Sequence, residues 1–162
     1  MEGNTIVWRE TGNRMNARGL REAIIYAKPL EIKDDLKVQV PPPWMIVYLK
    51  VVAYLDEPQT RFKDIRDILT TLKYYEYDPE ESRRFEIETD LTYELRGAFL
   101  IGLDMATNLG QTMLEPIVEL LDKIEHDDSA IISRALVQKP IMQANEAFQL
   151  IDATRQGLLS LD

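Results

Sequence analysis

A stretch that is apolar on nearly every side most limits the folds open to this chain. It follows three consecutive prolines, Pro41 to Pro43, and runs from Trp44 to Leu55. Proline is tolerated in the first turn of a helix, and a helix that is apolar all round is normally buried. Lys50 is the only charged residue in the stretch. We therefore predict a central buried helix with one lysine whose environment has to be explained.

The residues before that helix indicate short strands and one short helix. β-Branched and aromatic residues at 5–8 favour a strand, and the spacing of apolar residues over 17–27 favours a helix that Pro29 ends. Residues 30–32 and 36–40 predict a hairpin whose loop holds residues 33–35.

The residues after it indicate helices almost to the end of the chain. Between them, residues 78–90 are strongly charged and predict a surface helix or an irregular connector. The predicted helices, apolar at helical spacing, cover 60–74 (capped by Thr60), 95–108, 111–125, 129–137 and 141–158. The expected fold is α+β and predominantly α-helical, with a small mixed α/β segment over 1–43 and a helical domain over 44–162.

Composition excludes several classes of function. There is no cysteine, which excludes disulfides, zinc–thiolate sites and thiol nucleophiles, and the single histidine, His126, cannot form a histidine metal cluster. The net charge of −9 argues against a broad nucleic-acid surface. No apolar run approaches the roughly 20 residues of a membrane-spanning helix, and the amino terminus lacks a secretory pattern, so we expect a cytoplasmic protein without a membrane partner.

Arg14, Arg18 and Arg21 form the densest basic stretch near the amino terminus. A local basic pocket and a solvated helix face are both compatible with this spacing. We favour the solvated face, because charged runs most often lie in solvent.

Two interpretations of the central lysine and its neighbouring aspartates follow from the residues alone. Lys50 either lays its stem on the core with its ammonium in solvent, or binds a phosphate or an acidic partner. For Asp64 and Asp67 the helical pattern favours a solvated face, with a weak pair between Lys63 and Asp67; the alternative is that they order a cleft around a lysine. Asp56 follows Lys50 by six positions, about 240° round an ideal helix, so the two cannot pair directly.

The polar pattern of residues 49–68 is K-x5-D followed by K-D-x-x-D-[IL]. In this pattern the chain resembles the nucleotidyltransferase-like toxins of abortive-infection and toxin–antitoxin systems. Residues 2–8 are similar to the segment that follows the last catalytic strand of that family. Residues 96–106 are similar to its G-A-x-x-L-G-x-D helix. The resemblance extends to about Ala106.

The resemblance implies transfer of a nucleotide from a nucleoside triphosphate to a nucleic-acid or protein acceptor, with Mg²⁺ as cofactor. It assigns Lys50 and Lys63 as candidate nucleotide- or phosphate-binding residues. Asp56, Asp64 and Asp67 are then supporting acidic residues. Residues 1–43 would be a remnant of the family's sheet region.

The chain departs from the family pattern at several points. Glu57 and Leu103 stand where the family often has arginine, and there is no Gly-Ser pair followed by D-x-D. The acidic pairs at 78–80 and 86–88 have no preceding glycine turn or strand. Since those absent carboxylates hold the family's metal ions, we expect no catalytic residue, no metal site and no Mg²⁺ or triphosphate held by this chain alone. The chain is then the carboxyl-terminal portion of such a protein and inactive by itself.

The alternative is a non-catalytic helical interaction module that self-associates or binds a basic partner such as a toxin. Under either hypothesis, we expect residues 5–8, 30–40 and 44–55 to leave apolar surface that a second copy or a partner chain covers. Nucleic acid is not an expected partner of this chain alone.

Overall fold

A computed structural model describes residues 5–12, 14–33, 36–75, 83–126 and 130–161. The chain forms two short antiparallel hairpins before residue 41 and is helical afterwards, which confirms the α+β, predominantly helical fold. In chain order the elements are β1 Thr5–Val7, β2 Arg14–Asn16, α1 Leu20–Tyr26, β3 Lys28–Lys33, β4 Leu36–Val40, α2 Pro43–Asp56, α3 Phe62–Tyr74, α4 Arg83–Glu86, α5 Tyr93–Asn108, α6 Gln111–His126, α7 Ala130–Gln138 and α8 Ala144–Leu159.

Helix α2 is the centre of the core, as the apolar stretch predicts. Pro43 occupies its first turn, where the missing N–H costs nothing. Its side chains are buried on most sides against α3, α5 and α6. The expectation that residues 44–55 expose apolar surface is therefore wrong, because the helices that follow cover α2.

Helices α5 and α8 pack directly against each other, backbone to backbone. A Cβ on Gly102 would collide with the Thr154 carbonyl oxygen of α8, and a Cβ on Gly157 would collide with the Phe99 carbonyl oxygen of α5. Because each glycine lacks a side chain, the backbone of the other helix can approach it closely. This reciprocal contact holds the carboxyl-terminal helix against the core.

The two hairpins are separate two-stranded sheets rather than one sheet. In β3–β4, Leu30 pairs with Val38 and Lys28 with Val40, and the register is irregular between Glu31 and Lys33. Leu30 is 54% exposed, which leaves the apolar face of this hairpin in solvent. A two-stranded hairpin alone is only marginally stable in water. The exposed apolar face of β3–β4 is therefore a surface that packing against another chain would stabilise.

Several predicted boundaries are wrong for local reasons. Helix α1 begins only at Leu20, because Gly19 before it has a φ of 86° and lies against the Tyr48 ring. Thr60 is not the cap of α3, since its hydroxyl contacts Glu57 and Arg61 takes the cap position. Strand β2 was not predicted, and helix α8 begins at Ala144 rather than at residue 141. The predicted positions 34–35, 78–82 and 129 lie outside the described residues.

None of the helices in the described ranges has both the length and the apolar character needed to cross a membrane.

Candidate functional site

The one lysine of helix α2, Lys50, lies between two carboxylates of helix α3. The Nζ atom of Lys50 is 2.6 Å from Oδ2 of Asp67 and 3.1 Å from Oδ1 of Asp64. The Lys50 side chain is 27% exposed. Its ammonium therefore does not extend freely into solvent but is bound where α2 crosses α3.

The protonation of Lys50 follows from this environment. Burial acts to lower the pKa of Lys50, and the hydrogen bonds to Asp67 and Asp64 act to raise it. The two carboxylates prevail, and the pKa lies above its ordinary value. Lys50 is thus a fixed cation at neutral pH.

Asp64 joins two cations. Its Oδ1 accepts the bond from Lys50, and its Oδ2 accepts a bond from Nε of Arg61 at 2.6 Å. The Asp64 side chain is only 7% exposed, so the solvated face that the helical pattern favoured is wrong for this residue. Asp64 lies in the first turn of α3, where the helix dipole also stabilises a negative charge.

The structure separates the other two candidate residues from this cluster. Lys63 is exposed on α3, and the ion pairs among the described residues do not include it, so the expected Lys63–Asp67 pair is not formed. Asp67 instead bonds across to α2. Asp56, exposed at the end of α2, is not among the partners of Lys50, as the helical geometry requires.

Arg61 is the member of the cluster that the sequence pattern did not single out. Its spacing of three residues from Asp64 is a helical pair spacing. That spacing was the only indication in the sequence that Arg61 pairs with Asp64. It did not show that the pair matters, because the burial of Asp64 could not be predicted.

The carboxylates around Lys50 do not fit a magnesium ion. Among the described residues there is no group of three or more metal-ligating side chains. Asp64 and Asp67 are already neutralised by Lys50 and Arg61, whereas a magnesium site needs carboxylate oxygens that are free to bind the metal. Glu86 and Glu88 are exposed at the end of α4 and just beyond it, and residues 78–80 lie outside the described part of the chain.

A second buried polar cluster surrounds Asp104 in the helix that carries the G-A-x-x-L-G-x-D pattern. The Tyr75 hydroxyl donates to Oδ2 of Asp104 at 2.5 Å, and the Arg83 guanidinium donates to both carboxylate oxygens. Burial raises the pKa of the Tyr75 hydroxyl, and the adjacent Asp104 raises it further. The cluster fastens α4 and the end of α3 to α5.

The arginines near the amino terminus do not form one helix face. Arg14 lies on β2 and Arg18 in the turn before α1, and only Arg21 is on the exposed side of α1. The predicted solvated helix face is therefore wrong for Arg14 and Arg18.

Comparisons of the chain with protein-family models, with curated proteins and with solved structures find no match. The resemblance to nucleotidyltransferase-like toxins therefore rests on the residue patterns alone.

Proposed function

We propose that this chain supplies the lysine-bearing helical part of a nucleotidyltransferase-type protein, with Lys50 as the contact for a triphosphate. The observation that carries the proposal is the position of Lys50 Nζ between Asp67 and Asp64. Three of the residues that the resemblance assigns thus come together at one point, although up to 17 positions separate them in sequence.

Nucleotidyl transfer develops negative charge on the phosphates, and a cation already held in place stabilises that charge without reorganisation. A lysine ammonium has three N–H donors. Asp64 and Asp67 take two of them, and the partial exposure of the side chain leaves the third for a phosphate oxygen. The two aspartates act as positioning residues in this proposal.

The same contacts limit the affinity. Lys50 and Arg61 are balanced by Asp64 and Asp67, so the cluster has no net charge to attract a triphosphate. Among the described residues no carboxylate set fits a metal, so under this proposal the chain binds the triphosphate weakly and does not transfer it.

The proposal is tested by following the backbone amides of the ¹⁵N-labelled chain while Mg²⁺–ATP is added. We expect concentration-dependent shifts around Lys50 and Asp64 that Lys50→Met abolishes. Lys63→Met removes an equal charge from the exposed side of α3 and should leave the shifts unchanged. No shift in α2 or α3 of the native chain, or equal effects of the two variants, would contradict the proposal.

A second variant keeps the test informative if Lys50→Met disturbs folding. Asp67→Asn keeps a side-chain oxygen that can accept the Lys50 hydrogen bond but removes the negative charge beside it, so we expect it to tighten ATP binding. Glu10→Gln, an equal change of charge at an exposed position outside the cluster, measures the contribution of net charge alone. Equal tightening by both variants would show that the Asp67 charge has no local effect on phosphate binding at Lys50.

A second candidate function, non-catalytic self-association, is favoured by one observation. Large apolar side chains that are exposed concentrate in the first quarter of the chain, and such patches commonly mark interaction surfaces. They are Ile6, Val7, Trp8, Met15, Ile24, Ile25, Leu30, Ile32 and Leu36. Self-association is compatible with triphosphate binding at Lys50, but it depends on these exposed apolar side chains rather than on Lys50 and its two aspartates.

A further inference from the structure

A polar cleft lies between the β1–β2 hairpin, the end of α2 and helix α6. It has two chambers, of about 370 and 180 Å³, and Asn16, Arg18 and Asp56 line both. The larger chamber is bounded by β2, and the smaller reaches α6. The combined size is that of a small-molecule site.

The cleft is lined by charged groups of both signs. Arg14 lines the larger chamber and Glu119 lines the smaller one, while Arg18 and Asp56 line both. In the described part of the chain, neither the Arg14 guanidinium nor the Asp56 carboxylate is within salt-bridge distance of an opposite charge. The cleft therefore presents a cationic group and an anionic group that share one chamber without pairing with each other.

The wall of the cleft is held in place before any ligand arrives. Pro116 inside α6 has no N–H to donate to the Thr112 carbonyl oxygen one turn earlier. Nη2 of Arg18 donates to that oxygen instead, and it also lies 3.2 Å from Oε2 of Glu115. Asn16 accepts a bond from the Arg18 backbone N–H at 3.0 Å, which fixes the turn between β2 and α1.

The smaller chamber also has an apolar side. Val52, Leu55 and Pro116 line it. A part of a ligand that extends past Asp56 can pack against these side chains.

We propose that this cleft binds a small zwitterionic molecule, whose oxyanion contacts Arg14 and whose ammonium group contacts Asp56. A guanidinium binds carboxylate and phosphate oxygens through parallel hydrogen bonds, and a carboxylate accepts the N–H donors of an ammonium. The oxyanion of such a ligand thus pairs with Arg14, and its ammonium group pairs with Asp56. The site does not include Lys50 and does not depend on the proposed nucleotidyltransferase function, because Asp56 faces another side of α2.

Two probes distinguish a phosphate from a carboxylate as the oxyanion. O-Phosphoethanolamine carries a phosphate and an ammonium, and γ-aminobutyrate carries a carboxylate and an ammonium. Inorganic phosphate and ethanolamine each supply charge of one sign only and serve as the single-charge probes. Backbone amide shifts of the ¹⁵N-labelled chain, followed during each titration, give the affinity and the residues that respond.

We expect at least one zwitterion to shift the amides of residues 14–18 and 52–56, with an affinity about tenfold above that for either single-charge probe. Arg14→Ala should weaken this binding about tenfold, and Arg21→Ala, on the exposed side of α1, should leave it unchanged. Asp56→Asn should lower the affinity for O-phosphoethanolamine to that for inorganic phosphate. The stronger zwitterion identifies the oxyanion.

Three results would overturn the proposal. They are the absence of shifts at the cleft with both zwitterions, affinities no higher than those of the single-charge probes, and equal effects of Arg14→Ala and Arg21→Ala. The amide spectrum of each variant also reports whether it is folded.

Discussion

At the scale of single residues, the hydrogen bonds of Lys50 to Asp64 and Asp67 connect α2 to α3. The two aspartates were candidates from their spacing, yet helical geometry alone favoured a solvated face for them. Their contact with Lys50 depends on how α2 crosses α3, which brings together residues 14 and 17 positions apart. Local periodicity describes one helix at a time and contains no information about that crossing.

Removing the buried aspartate tests this contact energetically. Asp64→Ala leaves Lys50 and Arg61 without a shared carboxylate, and breaking a buried ion pair costs about 3–5 kcal/mol. Since both cations are partly exposed, we expect a loss of about 2–3 kcal/mol in the free energy of unfolding, measured in urea. Lys63→Ala, at an exposed position, should change it by less than about 0.5 kcal/mol. Similar values for the two variants would show that Asp64 is not held as described.

The buried hydroxyl of Tyr75 predicts a dependence of stability on alkaline pH. Its pKa is raised in the folded protein by burial and by Asp104, so the unfolded chain loses this proton first. Its contribution to stability is therefore complete below the ordinary tyrosine pKa of about 10 and declines as the pH rises above that value.

Tyr75→Phe removes this titration and its hydrogen bond to Asp104. The difference in unfolding free energy between native chain and variant should be constant from pH 7 to 9 and shrink from about pH 10 upwards. A difference that stays constant through pH 11 would contradict the raised pKa.

At the scale of elements, helices with an apolar stripe were predictable, and strand β2 was not. Its residues, Arg14, Met15 and Asn16, include no β-branched side chain, and the strand forms through its pairing with β1. The α5–α8 contact was also unpredictable. Gly102 and Gly157 are 55 positions apart in the sequence. A glycine within a helical pattern does not indicate which other helix will pack against it.

The glycine contact predicts a sharp difference between two substitutions. Gly157→Ala forces a methyl group against the Phe99 carbonyl oxygen, and such overpacking costs about 1–3 kcal/mol. A Cβ on Gly110 meets nothing within 4 Å, so Gly110→Ala is the matched control and should be close to neutral. Thermal unfolding followed by circular dichroism measures both. Equal melting temperatures for the two variants would contradict the close approach of α5 and α8.

At the scale of the whole molecule, the spacing of apolar residues along the chain was sufficient to predict the mainly helical fold with short strands before residue 41. It was not sufficient to predict which apolar segment stays exposed. The stretch around α2 was expected to share this exposure with the hairpins. Instead the later helices bury α2 and leave β3–β4 open, because only the folded topology decides which faces meet.

The exposed hairpin makes self-association testable. If a second copy covers β3–β4, the native chain should show a concentration-dependent mass by light scattering, and Ile32→Glu should reduce that mass to the monomer. Val137→Glu changes a side chain that is 82% exposed on α7 and serves as the control. A native chain that remains monomeric at all concentrations would leave the self-association candidate without support.

We propose that Asp64 and Asp67 position the Lys50 ammonium to receive a phosphate. The ¹⁵Nζ resonance of Lys50, assigned by comparison with Lys50→Arg and followed while Mg²⁺–ATP is added, reports on this ammonium itself. We predict a slowly exchanging ammonium signal in the free chain that shifts on addition of ATP, while the signal of Lys63 stays in fast exchange. A Lys50 signal that does not respond to ATP, or that exchanges as fast as Lys63, would contradict the account.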